Sequence, residues 1–272
     1  MSSTLLSAVS FLSMVDDPDL ILLDATFGKE AYAEYTKSHI EGAQWINLNT
    51  QLSEIGPDPS LGGRHPLPSV ESFAATLGTF GIDTNSKVVI YDRNNGALAA
   101  ARCWWMLRAI GHEQTWVIDG GYQAVQAAGG NLTASKEASP IEKAPYPASQ
   151  WQYPLLSMRA LEERKEHHLA LIDVREADRF NGVHEPIDLV AGHIPGAINV
   201  PYTQNLNADG TFKSPQELSA LYAPWIDNGE EVVFYCGSGV TACHGILAMA
   251  YAFGQIAELY PGSWSEWSRN TH

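Results

Sequence analysis

The chain has 272 residues, of which 45% are hydrophobic, and its 31 acidic and 16 basic residues give a formal net charge of −15. This length indicates about two domains of ordinary size. The acidic balance argues against nucleic acid or an anionic membrane as a partner, because no broad basic surface can form, whereas one or two arginines can still hold a small anion.

The cysteine content and the start of the chain indicate a compartment. The three cysteines, Cys103, Cys236 and Cys243, are too few for a disulfide framework, and their number is odd, so a reducing environment is favoured. No basic segment precedes the short apolar stretch near Met1, and no run approaches the ~18 apolar residues of a membrane span. We therefore expect a cytoplasmic protein that has no membrane partner.

The predicted elements occur twice along the chain. An apolar run that ends in Asp occurs at residues 20–24 and again at 169–173. A second apolar run occurs at 88–92 and again at 232–236, and each copy precedes a small-residue loop and an apolar helical stretch. Such short runs are typical of strands buried on both faces, which means a parallel sheet.

The duplication predicts an α/β fold of two tandem domains, each a parallel sheet flanked by helices. We place the first domain at residues 1–135, a proline-containing linker at 136–154 and the second domain at 155–272. Ligands of such sheets bind beyond the carboxyl ends of the strands, where Asp92 and Cys236 occupy equivalent positions. Because a carboxylate cannot perform the chemistry of a thiolate, we expect the first domain to be catalytically inactive.

The loop after Cys236 is the strongest chemical signal in the sequence. Its two glycines allow the backbone to turn successive N–H groups inward, and the loop leads into a helix N-terminus. This arrangement favours an anion and therefore an ionised Cys236. The alternative is a plain buried cysteine at the end of a strand, which is the interpretation we favour for Cys103 and Cys243.

The loop sequence resembles that of 3-mercaptopyruvate sulfurtransferases, in the tandem-domain rhodanese superfamily: Cys236-Gly237-Ser238-Gly239-Val240-Thr241. Fragments 192–197 and 260–267 also resemble the two signatures of this superfamily. The resemblance implies two rhodanese-like domains and sulfur transfer through a persulfide on Cys236. We expect no cofactor and no metal, and the histidines and cysteines show no zinc-ligand spacing.

The resemblance also implies roles for residues around the nucleophile. Arg179 would hold a substrate carboxylate, for which a planar guanidinium is suited, although a surface salt bridge with Asp178 or Glu176 is the alternative. The second arginine that many members of the family have downstream is missing from residues 185–188. Arg64 is a weaker candidate. Donor contacts would come from one stretch of the loop: Gly237, Gly239, Val240 and Thr241.

A proton relay beside the cysteine is a further implication of the resemblance. Ser238 would form this relay with His65 and with an aspartate of the first domain, where this chain has Asn49. An asparagine cannot stabilise an imidazolium as a carboxylate can, so the relay would be incomplete. The alternative for His65 is a structural role in a loop that contains prolines.

The function predicted from these residues is covalent catalysis that moves sulfur from 3-mercaptopyruvate through Cys236 to a thiol such as thioredoxin, or to cyanide. Thiosulfate is the alternative donor, although thiosulfate enzymes of the superfamily typically have Arg and Lys where this chain has Gly237 and Ser238. A non-enzymatic persulfide carrier is a further alternative. A cysteine-based phosphatase would need an arginine at the end of the loop, and residues 240–244 contain none.

Overall fold

The structure is a computed structural model, and it describes residues 4–135, 140–164, 169–226 and 229–271. The chain forms two compact units, the first made of Met1–Leu52, Pro68–Gln152 and Asp209–Thr211, the second of Ser53–Leu67, Tyr153–Ala208 and Phe212–His272. The segment Ser53–Leu67 therefore belongs to the second unit, although its sequence position lies within the predicted first domain. Of the predicted linker, residues 136–139 lie outside the described residues, and residues 140–152 belong to the first unit.

The first unit contains a five-stranded parallel sheet in the order β1-β6-β5-β2-β4, as the short apolar runs predict. Leu23 of β2 pairs with Ile90 of β5 at the centre of this sheet, and both side chains are fully buried. The strands are β1 (Leu5–Leu6), β2 (Leu20–Asp24), β4 (Ala43–Trp45), β5 (Lys87–Tyr91) and β6 (Thr115–Ile118).

Helices cover this sheet, and a small antiparallel pair lies beside it. The pair consists of β3 (His39–Ile40) and β7 (Leu132–Thr133). The longest described helix of the first unit, α4, is buried along most of its length, which explains its run of alanine and tryptophan side chains. The helices are α1 (Ala8–Leu12), α2 (Ala31–Lys37), α3 (Val70–Thr79), α4 (Ala99–Ala109) and α5 (Gly121–Ala127).

The second unit contains a four-stranded parallel sheet in the order β11-β10-β8-β9. Its central strands pair along five residues, from Glu231 with Leu169 to Tyr235 with Asp173. The strands are β8 (Leu169–Asp173), β9 (Ile198–Asn199), β10 (Glu231–Tyr235) and β11 (Glu258–Leu259). The predicted fold class, two parallel sheets flanked by helices, is confirmed.

The helices of the second unit pack on this sheet around buried aromatic side chains, among them Tyr235, Tyr260 and Trp264. The helices are α6 (Met158–Arg164), α7 (Ala177–Phe180), α8 (Pro215–Ile226), α9 (Ala242–Phe253) and α10 (Ser263–Asn270), with a 3-10 turn at Tyr202–Asn205. Within the described ranges, every helix is too short or too polar to cross a bilayer.

The two units repeat each other in their internal hydrogen bonds. The hydroxyl of Tyr91, the last residue of β5, accepts a hydrogen bond from the backbone N–H of Ile40 at 3.2 Å. The hydroxyl of Tyr235, the last residue of β10, accepts one from the N–H of Ile194, also at 3.2 Å. The duplication inferred from the sequence therefore extends to individual atoms next to Asp92 and Cys236.

Candidate active site

The predicted nucleophile, Cys236, lies directly after β10, at the carboxyl end of a central strand of the second sheet. Its backbone N–H donates to the hydroxyl of Ser263 at 3.1 Å, and its carbonyl accepts from the N–H of Trp264 at 3.0 Å. The start of α10 therefore fixes the backbone of the cysteine. The cysteine is 3% exposed and therefore buried.

The loop of residues 236–241, called the Cys236 loop, turns tightly into α9. Gly239 has a φ of +75°, which favours glycine, and a side chain there would overlap the carbonyl of Pro261. Thr241 is the N-cap residue of α9, but its hydroxyl makes no capping bond. The dipole of α9 gives this end of the helix a partial positive charge beside the loop.

Ser238 and His65 are in contact, as the relay predicts. Nδ1 of His65 lies 2.8 Å from Oγ of Ser238, and the serine is 7% exposed. The segment that contains His65 is anchored on α10, because the N–H of Arg64 donates to Oγ of Ser265 at 3.0 Å and that of Gly62 to Oε1 of Glu266 at 2.9 Å. These bonds explain why this segment belongs to the second unit.

Asn49, the predicted third member of the relay, belongs to the first unit. Its own N–H donates to Oδ1 of Asn47 at 2.7 Å. This is a local turn contact of the kind that asparagine side chains commonly accept. A role for Asn49 in proton transfer stays a prediction.

Arg179, in α7, is held by two carboxylates that are not the partners considered from the sequence. Its Nη2 lies 2.8 Å from Oε1 of Glu185 and 3.2 Å from Oδ2 of Asp188. The guanidinium is therefore fixed in one orientation by buried acids, and its side chain stays 18% exposed. Such an arrangement is more than a loose surface salt bridge, because both acidic side chains are excluded from water.

Asp188 is the centre of an arginine group that consists of Arg64, Arg179 and Arg269. Nη1 of Arg64 donates to Oδ1 of Asp188, Nη2 of Arg179 lies 3.2 Å from Oδ2, and Nη1 of Arg269 lies 3.5 Å from Oδ1. The Asp188 side chain has no solvent exposure. Three cations on one carboxylate leave an excess of positive charge at this place.

The arginine group lies against the Cys236 loop. A Cβ atom built on Gly237 would lie 3.1 Å from Nη2 of Arg64 and 3.3 Å from Nη2 of Arg179. The absence of a side chain at Gly237 therefore leaves room for two guanidinium groups next to the nucleophile. From the sequence, Arg64 was a weaker candidate than Arg179 for binding the substrate carboxylate. Arg269 and Asp188 were not predicted as site residues.

A more deeply buried ion pair, formed by Arg175 and Asp173, is connected to the arginine group through Glu185. Arg175 donates to both oxygens of Asp173, with Nη2 2.7 Å from Oδ2, and its Nη1 lies 3.3 Å from Oε2 of Glu185. Burial opposes ionisation of Glu185, but hydrogen bonds from Arg179 and from two backbone amides outweigh it and hold the pKa of Glu185 below its ordinary value. Glu185 therefore stays ionised and keeps Arg179 in position.

In the first unit, the loop after β5 surrounds a carboxylate of the chain itself, that of Asp92. The carboxylate of Asp92 accepts four backbone N–H bonds, from Asn94 and Gly96 at 2.8 Å and from Leu98 and Ala100 at 3.1 Å. The carbonyl of Asp92 accepts a bond at 3.1 Å from the N–H of Tyr122, at the start of α5, as that of Cys236 does from α10. The backbones of Asp92 and Cys236 are therefore fixed in the same way, by the second residue of the helix that follows the next strand.

The other two cysteines have the environment of small core residues. Cys103 in α4 and Cys243 in α9 are fully buried, and burial raises the pKa of the Cys103 thiol far above its ordinary value. The Sγ of Cys243 lies 3.4 Å from the carbonyl oxygen of Gly239. Among the described residues, no three His, Cys, Asp or Glu side chains gather into a metal site.

Comparison with known proteins identifies the family. The family model described as "Rhodanese-like domain" matches residues 7–128 and 157–270. The chain is 38% identical to the "Probable 3-mercaptopyruvate sulfurtransferase" of Pseudomonas aeruginosa, over 98% of this chain and 95% of that protein. It is 34% identical to the thiosulfate sulfurtransferase of Rattus norvegicus, over 93% of this chain and 86% of that protein.

A solved structure agrees with these matches. The 3-mercaptopyruvate sulfurtransferase from Leishmania major aligns with a TM-score of 0.85 and 29% identity, over 99% of this chain and 75% of that chain. The resemblance inferred from the sequence motifs is confirmed. The chain belongs to the rhodanese-like family, with one family domain in each half.

Proposed function

We propose that this enzyme takes sulfur from 3-mercaptopyruvate onto Cys236 and passes it, as a persulfide, to a thiol such as thioredoxin or to cyanide. The observation that supports this proposal best is the placement of Arg64 and Arg179 beside Gly237, one residue after the nucleophile. The named relatives act on sulfur compounds of two kinds, so the choice of donor depends on the charges and shape of the site.

The local structure suits Cys236 to act as a nucleophilic anion. Its loop leads into the N-terminal end of α9, where the helix dipole stabilises negative charge. The nearby arginines add cationic charge on the side of Gly237. The thiolate is the reactive form of a cysteine nucleophile.

The carboxylate of the donor would bind to the exposed parts of Arg64 and Arg179, whose side chains are 20% and 18% exposed. A planar guanidinium donates two parallel hydrogen bonds to a carboxylate, which fixes its direction as well as its position. Arg64 thereby fills the role that a second arginine downstream of Arg179 would have. The loop residues Gly237, Gly239, Val240 and Thr241 would form the wall that faces the rest of the donor.

The first chemical step is a transfer of sulfur to sulfur. The Cys236 thiolate attacks the thiol sulfur of the donor, an S–S bond forms, and the bond between this sulfur and the donor's methylene carbon breaks. The electron pair of the broken bond stays on the organic fragment, which leaves as the enolate of pyruvate. A proton added to the carbon completes pyruvate, and the protein retains a persulfide on Cys236.

Ser238 and His65 would supply that proton. The serine hydroxyl lies two residues after the nucleophile and is within hydrogen-bonding distance of the imidazole. The imidazole can replace a proton lost by the hydroxyl. In the second half of the reaction, an acceptor thiolate or cyanide attacks the outer sulfur of the persulfide and releases the Cys236 thiolate.

Thiosulfate is the second candidate donor, because a relative of more than 30% identity is named for it. Thiosulfate has two negative charges and no carboxylate. The Cys236 loop has no cationic side chain of its own, and the neighbouring arginines are partly neutralised by Glu185 and Asp188. These features favour the monoanionic α-keto acid.

Steady-state sulfur transfer measured side by side with both donors tests the proposal, using wild type and Cys236→Ser. We expect turnover that prefers 3-mercaptopyruvate and that the substitution abolishes. Intact mass after incubation with donor alone should show one added sulfur atom in the wild type and none in Cys236→Ser. Full activity of Cys236→Ser would contradict the covalent route, and a preference for thiosulfate would contradict the choice of donor.

A further inference from the structure

We propose that Asp188 determines the charge of the sulfur donor that the site accepts, and that it does so by neutralising part of the arginine group beside the nucleophile. The inference rests on the proposed function, since it assigns the specificity of the same donor site. The site thereby selects a monoanion such as an α-keto acid and rejects a dianion such as thiosulfate.

The first support is the position of the Asp188 carboxylate between the arginines that line Gly237. One of its oxygens accepts from Arg64 and the other from Arg179 at 3.2 Å, with Arg269 3.5 Å from the first oxygen. The two arginines that would bind the donor therefore share one fixed negative charge. Any anion that binds to their remaining N–H groups lies close to that charge.

The second support is that the carboxylate cannot turn away when a donor binds. The Asp188 side chain is fully excluded from solvent, and its backbone N–H donates to Oε1 of Glu185 at 3.0 Å. The N–H of Ile187 donates to the same oxygen at 3.0 Å, so the turn that presents Asp188 is held at two points. A charge fixed in this way acts on the donor without the cost of reorganisation.

The third support is the balance of charges in the surrounding network. Arg64, Arg175, Arg179 and Arg269 face three carboxylates in this network, Asp173, Glu185 and Asp188, which leaves one positive charge. The Cys236 thiolate compensates this charge, so a dianion adds two further negative charges to a partly buried site, whereas a monoanion adds one. Like charges a few ångströms apart in such surroundings repel strongly enough to change a rate constant by about tenfold or more.

Asp188 is a better candidate for this role than Glu185. Glu185 pairs with Arg175 and Arg179, whereas Arg64 and Arg269 pair with Asp188. Asp188 is the acid that joins Arg64 to Arg179, the two arginines that contact the space above Gly237. Its charge therefore reduces the attraction of both arginines for an anion at the nucleophile.

The test compares kcat/KM for thiosulfate with kcat/KM for 3-mercaptopyruvate in four full-length proteins. In Asp188→Asn, which removes the negative charge, the ratio of thiosulfate to mercaptopyruvate should rise by about tenfold or more, mainly through a lower KM for thiosulfate. In Arg269→Gln, which removes a positive charge that compensates Asp188, the ratio should fall. A merely structural role would lower both rates together and leave the ratio unchanged.

Glu258→Gln is the matched control in this series, alongside wild type. Glu258 lies in β11, away from the carboxyl ends of the strands, and pairs with Arg164 at 2.9 Å with its side chain 18% exposed. The substitution changes the net charge by the same amount as Asp188→Asn, so it measures the effect of overall charge alone. We expect it to leave the ratio of the two donors unchanged.

The outcomes separate the inference from the proposed function. If the wild type transfers sulfur from neither donor, the proposed function fails. If the wild type prefers mercaptopyruvate and Asp188→Asn folds with an unchanged or lower ratio, the role of Asp188 is overturned and the function stands. If Asp188→Asn does not fold, Arg269→Gln decides, because an unchanged or higher ratio in that variant contradicts the charge argument on its own.

Discussion

Nδ1 of His65 lies 2.8 Å from the hydroxyl oxygen of Ser238, although the two residues are 173 positions apart in the chain. The contact depends on the segment Ser53–Leu67, which belongs to the second unit and is anchored on α10. A hydroxyl and an imidazole held together beside a nucleophile can move a proton as one unit.

Replacing either member of this pair, in His65→Ala or Ser238→Ala, should lower kcat with 3-mercaptopyruvate on the order of 100-fold, because protonation of the leaving enolate slows. The double variant should be no slower than the slower single variant, since residues that act as a unit are not additive. Tyr146→Phe, which removes the hydroxyl 3.1 Å from Nδ1 of His112 in the first unit, is the control and should retain kcat. Multiplicative losses in the double variant would contradict a shared role.

The substitution Arg179→Lys tests whether the planar guanidinium orients the donor. Lysine retains the positive charge but cannot donate to Glu185 and to a substrate carboxylate in one plane, so KM for 3-mercaptopyruvate should rise by about tenfold with a smaller change in kcat. Arg159→Lys is the control, because Arg159 forms an exposed pair with Glu163 at 2.9 Å. An unchanged KM in Arg179→Lys would show that charge alone suffices.

The tight turn of the Cys236 loop predicts a large effect of Gly239→Ala on stability. Gly239 and Gly196 both have positive φ values, +75° and +85°, but only Gly239 would direct a Cβ atom into a neighbouring carbonyl. We expect Gly196→Ala to lower the free energy of unfolding by about 1–2 kcal/mol. For Gly239→Ala we expect a further loss of ~1–3 kcal/mol from overlap with Pro261, measured by urea denaturation. Equal losses in the two variants would contradict the close approach.

Glu185 should contribute to stability in a pH-dependent manner. Although burial opposes its ionisation, Arg179 and the backbone amides hold the pKa of Glu185 below its ordinary value in the folded protein. Its contribution is therefore present at pH values above the unfolded pKa and is lost as the pH falls through the folded pKa. The difference in unfolding free energy between wild type and Glu185→Gln should shrink as the solution is acidified from neutral pH.

The control for this titration is Glu163→Gln, which changes an acid whose side chain is 63% exposed. Surface pairs of this kind contribute little, so the difference from wild type should be small at every pH. A difference for Glu185→Gln that is constant between neutral and acidic pH would contradict the assignment of Arg179 as its partner.

Local patterns in the sequence predicted most of the fold. The apolar runs at Leu20–Asp24 and Leu169–Asp173 are strands with those bounds, and the helical stretch predicted after the run at residues 88–92 is observed as Ala99–Ala109. These elements were predictable because strands buried on both faces are continuous apolar runs. The pattern also occurs twice, so each copy supports the assignment of the other. The pair Asp173 and Arg175 was also predictable, since the two residues are near neighbours in the chain.

The centre of the arginine group was not predictable in the same way. Asp188 is 124 residues from Arg64 and 81 residues from Arg269, and none of these positions belongs to a periodic pattern. Charged residues on loops give no signal in a single sequence that distinguishes a solvated side chain from one that is buried by three partners. The domains were predicted as continuous stretches of sequence, whereas the segment Ser53–Leu67 belongs to the second unit.

The loop around Asp92 affects how many anionic ligands each polypeptide can bind. Because four backbone amides already bind a carboxylate of the chain itself, the loop in the first repeat has no vacancy for a thiosulfate, a keto acid or an anionic inhibitor. A protein built from two homologous domains should therefore load a single equivalent of transferable sulfur per polypeptide. Titration with a tight anionic ligand should reach saturation at that same equivalent.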